Sequence, residues 1–352
     1  MNQRRETMLF WMILIIAVTI VCCDNQDDDS QNSASDDDDE SADDDDNNDS
    51  FPSVEYQGVL FGTRLVIVEN SGTTEYGLPD QCAGIQKLSL PKPNVLWALC
   101  TFAPTNRLFS WNGSNLLALD TATTKTKKDV HLFASGIGYL LTEDSLDIWD
   151  GESWESITLD LTGSEVCTTL ECSSENDCYI MGQACLYHFL NGSLASESPP
   201  DKESYYFRHA AVLSDSTTVF AADLLSDDDY ADRFLQQSGG TWSALTNADA
   251  PYGTTNMLQP LLSNDNLLVL SEQYATSKFE MFAYHNGGWT LYDDWPVTPL
   301  MAFSSPQFGY SADIANELFW IYDVVAGQWF SKELLYPELD PFGFAIVEVP
   351  SQ

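Results

Sequence analysis

Six cysteines in this 352-residue chain, Cys82, Cys100, Cys167, Cys172, Cys178 and Cys185, are its most chemically versatile side chains. Thiols can cross-link, ligate a metal or attack as nucleophiles, and their spacing favours cross-links. Cys82 and Cys100 stand equidistant from a turn at Pro91-Lys92-Pro93. Cys172 and Cys178 face each other across the turn at 173–177, and Cys167 and Cys185 lie further out along the same segment. The expected pairs are 82–100, 172–178 and 167–185, each contributing ~2–4 kcal/mol, with the shortest loop at the low end. Zinc is the rival, but there is no Cys-x-x-Cys pair and the only histidine nearby is His188, so no metal is expected there. The four histidines, His131, His188, His209 and His285, are scattered with no His-x-x-x-His spacing, and neither a Gly-x-Ser-x-Gly elbow nor a phosphate loop occurs.

The elements that must position these groups repeat along the chain. Gly-centred turns follow an apolar strand at Gly72, Gly113, Gly151, Gly192, Gly240, Gly288 and Gly327, at spacings of 41, 38, 41, 48, 48 and 39 residues. Asn-Gly and Asp-Gly accept the positive φ angles of a tight hairpin. Aromatic or branched strands precede the turns (RLVIV, RLFSW, LDIW, CLYHF, ELFWIY), and tryptophans open the strand after them at Trp154, Trp242, Trp289 and Trp329. Those tryptophans are expected to cover the outer edge of their sheet and pack toward the next one. Two further strands precede each hairpin, and a period of 40–50 residues with four strands per unit predicts a β-propeller. The first unit is one strand short, and FGFAIVEV (342–349) supplies the missing strand. The expected fold is therefore an all-β, seven-bladed β-propeller over 51–352, closed by the C-terminal strand joining the first blade.

The paired glycines and outer-strand tryptophans resemble those of Kelch-like and galactose-oxidase-type propellers. The full Kelch signature is absent, since the Gly-Gly pair here lies between third and fourth strands. SGGTW and WDGESW approximate the Ser-x-Asp-x-Gly-x-Thr-Trp turn of sialidase-like propellers. No family active site is carried over from either. Arg64, Arg107 and Arg233 open third strands, so they share one rim. A carboxylate- or sulfate-binding cluster like that of sialidase-like propellers is one reading; the preferred one is that each balances acids at its own sheet edge. The insertion SDDDYAD (226–232) holds Asp227, Asp228 and Asp229, a weak candidate for Ca2+; a solvated acidic loop is the preferred reading, and no cofactor is expected.

Residues 1–23 have the zones of a secretory signal: Arg4 and Arg5, then the fourteen-residue run Met8 to Val21, shorter than the ~20 residues that cross a bilayer as a helix. The sequence Ile20-Val21-Cys22-Cys23 resembles the lipobox of bacterial lipoproteins. That resemblance implies lipidation of Cys23, with Cys22 as the second choice, and a place in the cell envelope, at the outer membrane or surface. Residues 24–50 carry 14 acidic side chains among 27 residues and read as a disordered acidic linker, because they cannot bury enough apolar surface to offset ordering entropy.

The formal charge is −40, from 54 acidic and 14 basic residues. Setting aside the linker, Glu6, Arg4 and Arg5 leaves 39 acidic against 12 basic residues, a net of about −27. Such a surface repels nucleic acid and anionic headgroups. The expected protein is a monomeric, lipid-anchored propeller that binds an envelope protein or a glycan without catalysis. The alternative is a glycoside-acting enzyme, sialidase- or lyase-like, which would need carboxylates and cations converging in a deep pocket.

Overall fold

Branched and aromatic runs punctuated by Asn-Gly and Asp-Gly leave few choices but antiparallel hairpins, and the computed structural model is built from them. It describes residues 54–119, 121, 123–213, 216–225, 232–245, 250–251, 253–261, 266–273, 276, 278–285, 287–292, 298, 300–303, 308–323, 328–333 and 341–349. The signal, the linker, Cys22, Cys23 and Asp227 to Asp229 lie outside them. No helix among the described residues is long and apolar enough to cross a membrane.

The strands, in chain order, are β1 (Tyr56–Gly62), β2 (Leu65–Glu69) and β3 (Gly72–Tyr76); then β4 (Ile85–Lys92), β5 (Val95–Cys100), β6 (Arg107–Trp111) and β7 (Leu116–Ala118). Next come β8 (Lys127–Leu132), β9 (Gly138–Thr142), β10 (Ser145–Trp149) and β11 (Trp154–Thr158), followed by β12 (Val166–Ser174), β13 (Asp177–Gln183), β14 (Cys185–Leu190) and β15 (Ser193–Ser196). The second half holds β16 (Tyr205–Val212), β17 (Thr218–Leu224), β18 (Asp232–Ser238) and β19 (Thr241–Ala244), then β20 (Thr254–Leu261), β21 (Asn266–Gln273), β22 (Lys278–His285) and β23 (Gly288–Tyr292). The last are β24 (Met301–Phe303), β25 (Phe308–Asp313), β26 (Leu318–Asp323), β27 (Gln328–Glu333) and β28 (Pro341–Glu348).

They form five four-stranded antiparallel sheets and one eight-stranded sheet. The large sheet is two four-stranded runs, β12 to β15 and β16 to β19, linked through a single β13–β16 pairing of Gln183 with Tyr206. First strands neighbour one another in a cycle: β28, β4, β8, β12, β16, β20, β24 and back to β28. Apolar seams fill the spaces between successive units, as where Val59 and Leu65 meet Ile85 and Leu96, or Leu99 and Leu108 meet Val130 and Leu140. This is a β-propeller.

Gly72, Gly113, Gly151, Gly192 and Gly240 behave as their sequence implies, with Gly113 at φ 93° and Gly151 at φ 105°, while Gly327 lies outside the described residues. At the Gly287-Gly288 pair, however, Gly287 rather than Gly288 takes the positive φ, 81°, and Gly288 already begins β23. The tryptophans correct another expectation, for they pack toward the preceding sheet. Trp154 stacks near Trp97 of β5, and Trp289 near Phe234 of β18. Trp154 sits opposite Trp149 across the hairpin, so both share the face that closes on the earlier sheet. The opposite face of such a strand serves the next one. In β27, Lys332 lies over the Tyr56 ring at 4.8 Å and donates to the Glu69 carbonyl at 3.1 Å.

All three disulfides, Cys82–Cys100, Cys167–Cys185 and Cys172–Cys178, join the expected partners. Two of them hold β12: Cys172 is directly opposite Cys178 on β13, while Cys167 reaches past β13 to Cys185 on β14.

The ends of the described fold meet where β28 pairs antiparallel with β1, Val59 opposite Ala345. Glycines fix that register. A Cβ on Gly58 would come within 2.9 Å of the Phe344 ring, and one on Gly343 would collide with the Phe61 ring. Deleting residues 341–352 uncovers the β1 edge and the Tyr56–Tyr310 seam beneath Ile346. It is expected to cost several kcal/mol, since one buried aliphatic side chain alone contributes about 1.5–3. Chemical denaturation checks this; a midpoint equal to that of the full chain would rule out closure through β28. Gly343→Val is expected to weaken the same seam without removing the strand.

Candidate functional site

The first strand of each unit pairs with the second strand on one side and turns its other edge toward the axis, where, apart from the Gln183–Tyr206 pairing of β13 with β16, it has no partner strand among the described residues. In six units the register shifts near the start of that strand: at Ile85/Lys87, Lys127/Asp129, Cys167/Thr169, Phe207/His209, Thr255/Met257 and Pro341/Gly343. Such bulges re-aim side chains. Beyond them β4, β8, β12 and β16 line an open cavity of about 730 Å³, which shares His131, Glu171 and His209 with a second of about 540 Å³ reaching β20.

Polar side chains along this wall satisfy the exposed edges, each reaching to the next first strand. The Ser89 hydroxyl accepts the Leu132 N–H at 2.8 Å, the Asp129 carboxylate accepts the Leu170 N–H at 3.0 Å, and Glu171 Oε2 accepts the Ala210 N–H at 2.5 Å. Glu171 Oε1 also lies 2.6 Å from His209 Nδ1, and Lys87 approaches Asp129 at 3.6 Å. Burial raises the Asp129 carboxyl, and Lys87 with two backbone N–H groups opposes that rise only in part. His131 differs. Burial lowers its pKa to about 4, against a small upward pull from Glu171, so its imidazole is neutral at physiological pH. Its ring rests 4.6 Å from Phe133, and among the described residues its nitrogens have no hydrogen-bond partner.

The three arginines lie at the opposite end of the first strands. Arg107 is opposite Cys100, itself opposite Ile85; Arg233 is opposite Ala222, itself opposite Phe207; Arg64 precedes Leu65. They thus share a level but sit on separate sheets. Arg64 pairs with Glu75 at 2.9 Å, largely exposed, and Arg107 bonds Gln81 and lies over the Phe102 ring at 4.3 Å. Among the described residues no group of three or more His, Cys, Asp or Glu side chains could hold a metal ion.

Sequence reasoning missed the axial wall. One signal was present: Ser89, Asp129 and Glu171 are polar residues about one repeat apart, each next to a leucine or valine of its strand.

No family model matches the sequence, and no curated protein matches it. Solved structures do match. A protein from Lactobacillus plantarum aligns at TM-score 0.58 and 13% identity over 83% of this chain and 99% of its own. A streptogramin B lyase aligns at 0.55 and 11%, over 82% and 91%. YCF48 bound to D1 peptide aligns at 0.53 and 14%, over 72% and 85%. At these identities the likeness establishes the propeller fold.

Two outcomes follow. Glu171→Ala leaves the Ala210 N–H and the His209 ring without their partner and is expected to destabilise the fold by roughly 1–3 kcal/mol, measurable by urea denaturation; an unchanged midpoint would deny Glu171 this role. A second concerns His188, whose Nε2 lies 2.7 Å from Asp177 Oδ1 and whose Nδ1 lies 3.8 Å from Glu197. Burial would lower its pKa, but the two carboxylates outweigh burial and raise it above the ordinary 6.5. The charged imidazole therefore stabilises the fold fully below about pH 6.5, and that contribution is lost as pH rises through the elevated value. Between pH 6 and pH 9 the melting temperature of the wild type should fall relative to His188→Gln by about 2 °C; parallel curves would rule the linkage out.

Proposed function

We propose that this chain is an exported, lipid-anchored propeller of seven blades, held to the cell envelope through Cys23, that binds a protein or glycan partner without catalysis. Counting the two runs of the eight-stranded sheet as separate blades supports the number seven, as does the cycle of first strands. Three disulfides suit an oxidising compartment outside the cytosol.

The observation that carries the binding reading is the use of the axial carboxylates. Asp129 accepts the Val130 N–H of its own strand and the Leu170 N–H of the next first strand, while Glu171 accepts the Ala210 N–H and holds the His209 ring. A glycoside-acting enzyme needs two carboxyl groups flanking the scissile bond, one to give a proton and one to attack or activate water. Groups committed to holding strands together serve that purpose poorly. The cavity they frame still offers an open, polar surface to a ligand. Similar folds are found in a lyase and in a protein bound to a peptide, so architecture favours neither class.

A second reading has one observation in its favour: Glu171 against His209 Nδ1 is the arrangement that orients a general base. In that reading the chain would be a lyase- or sialidase-like enzyme.

Cell fractionation tests the anchor. Cys23→Ala is expected to block processing or release the protein from membranes; unchanged processing with full membrane retention would reject lipidation there. Incubating the full chain with oligosaccharides and following the products by chromatography tests the absence of catalysis; any turnover abolished by His209→Ala would replace the first reading with the second.

A further inference from the structure

The axial cavity has a charge balance that narrows what it can hold. Lys87 is set against Asp129, and His209 against Glu171, whose second oxygen takes a backbone N–H. A ligand bearing a formal charge would leave water there without an uncommitted counter-ion, and an unpaired buried charge is costly. Against these paired groups stands His131. It is neutral, keeps one donor and one acceptor nitrogen, and lies on the shared wall of both cavities with the Phe133 ring beside it.

A neutral imidazole offers complementary hydrogen bonds to a group that both donates and accepts, which is the chemistry of a hydroxyl. The adjoining aromatic face suits the C–H surface of a sugar ring. Ser173 and Gln259 add further uncharged polar groups to the lining. The acidic exterior of the body, at about −27, also disfavours approach by polyanions.

We infer that the axial cavity is a binding site for a neutral saccharide, with His131 as the residue that selects its hydroxyl groups. This deepens the binding reading and rests on it.

The test uses the full chain in detergent, titrated by calorimetry with uncharged hexasaccharides of α-1,4-glucose, β-1,4-glucose and β-1,4-N-acetylglucosamine. Sulfated and sialylated oligosaccharides and a mixed peptide library serve as comparators. At least one neutral hexasaccharide is expected to bind saturably and to shift the His131 ring resonances in histidine-labelled NMR spectra. His131→Phe keeps a flat ring against Phe133 but removes both nitrogens, and is expected to weaken that binding about tenfold or more. His131→Gln, which restores a donor and an acceptor, is expected to recover most of it. This rescue separates a recognition role from a folding defect.

No binding by any of the three neutral hexasaccharides overturns the inference, and so does equal binding by wild type and His131→Phe. Binding of only charged sugars or of peptides, competed out of this cavity, overturns it while leaving the binding-module reading intact. Cleavage of a neutral hexasaccharide, sensitive to His131→Phe, keeps the saccharide class and overturns the non-catalytic reading instead.

Discussion

The constraint on which the molecule depends is the exposed edge of each first strand. A four-stranded sheet standing around an axis turns one edge inward, and that edge carries N–H and C=O groups with no partner strand. Left dry and unpaired they would each cost free energy on the scale of a lost hydrogen bond. The chain meets this requirement with side chains instead of further strands. Ser89, Asp129 and Glu171 each reach from one first strand to the backbone of the next. The polar wall is therefore first of all a structural device, which ties successive sheets together where their apolar seams end.

Placement of the disulfides follows the same logic. β12 lies off the main path of its sheet, pairing only with β13, which also bridges to β16. It nevertheless carries Glu171 and receives the bond from Asp129. Cys167 and Cys172 bracket that stretch and fasten it to β14 and β13. Cross-links there constrain a strand that pairs with a single neighbour and that two neighbouring sheets rely on.

Much of this was legible in the sequence, and what was missed has a physical cause. The period of the Gly-centred turns, the alternation of apolar strands and the missing strand of the first unit all follow from local conformational preference and from the need to close an edge. The cysteine pairs follow from symmetry about their turns. Bulges are different. One extra residue at Gln86, Lys128, Thr168, Arg208 or Asn256 leaves the hydrophobic pattern almost intact while changing which side chains face the axis. Strict alternation therefore could not place Asp129 or Glu171 beside the cavity. The direction of the tryptophans was missed for a related reason: a pattern shows that a face is buried, and only the handed stacking of sheets decides which neighbour buries it.

Arg64 and Arg107 show how a shared level differs from a shared site. Their repeated position puts them at one end of the first strands, yet each finds a partner on its own sheet edge or in the adjoining loop, Glu75 for one and Gln81 with Phe102 for the other. In a ring of separate sheets, equivalent positions are held apart by the width of a blade unless side chains turn toward the axis. Convergence is therefore a property of the inward edge. His131, Glu171 and His209 come from three successive units and share one cavity wall because they occupy that edge. Of these three, Glu171 and His209 are bound to each other, and Glu171 also to the backbone, which leaves His131 as the one of the three whose hydrogen-bonding capacity is not already committed to the fold. A site built this way keeps the charged groups for architecture and leaves recognition to a neutral one.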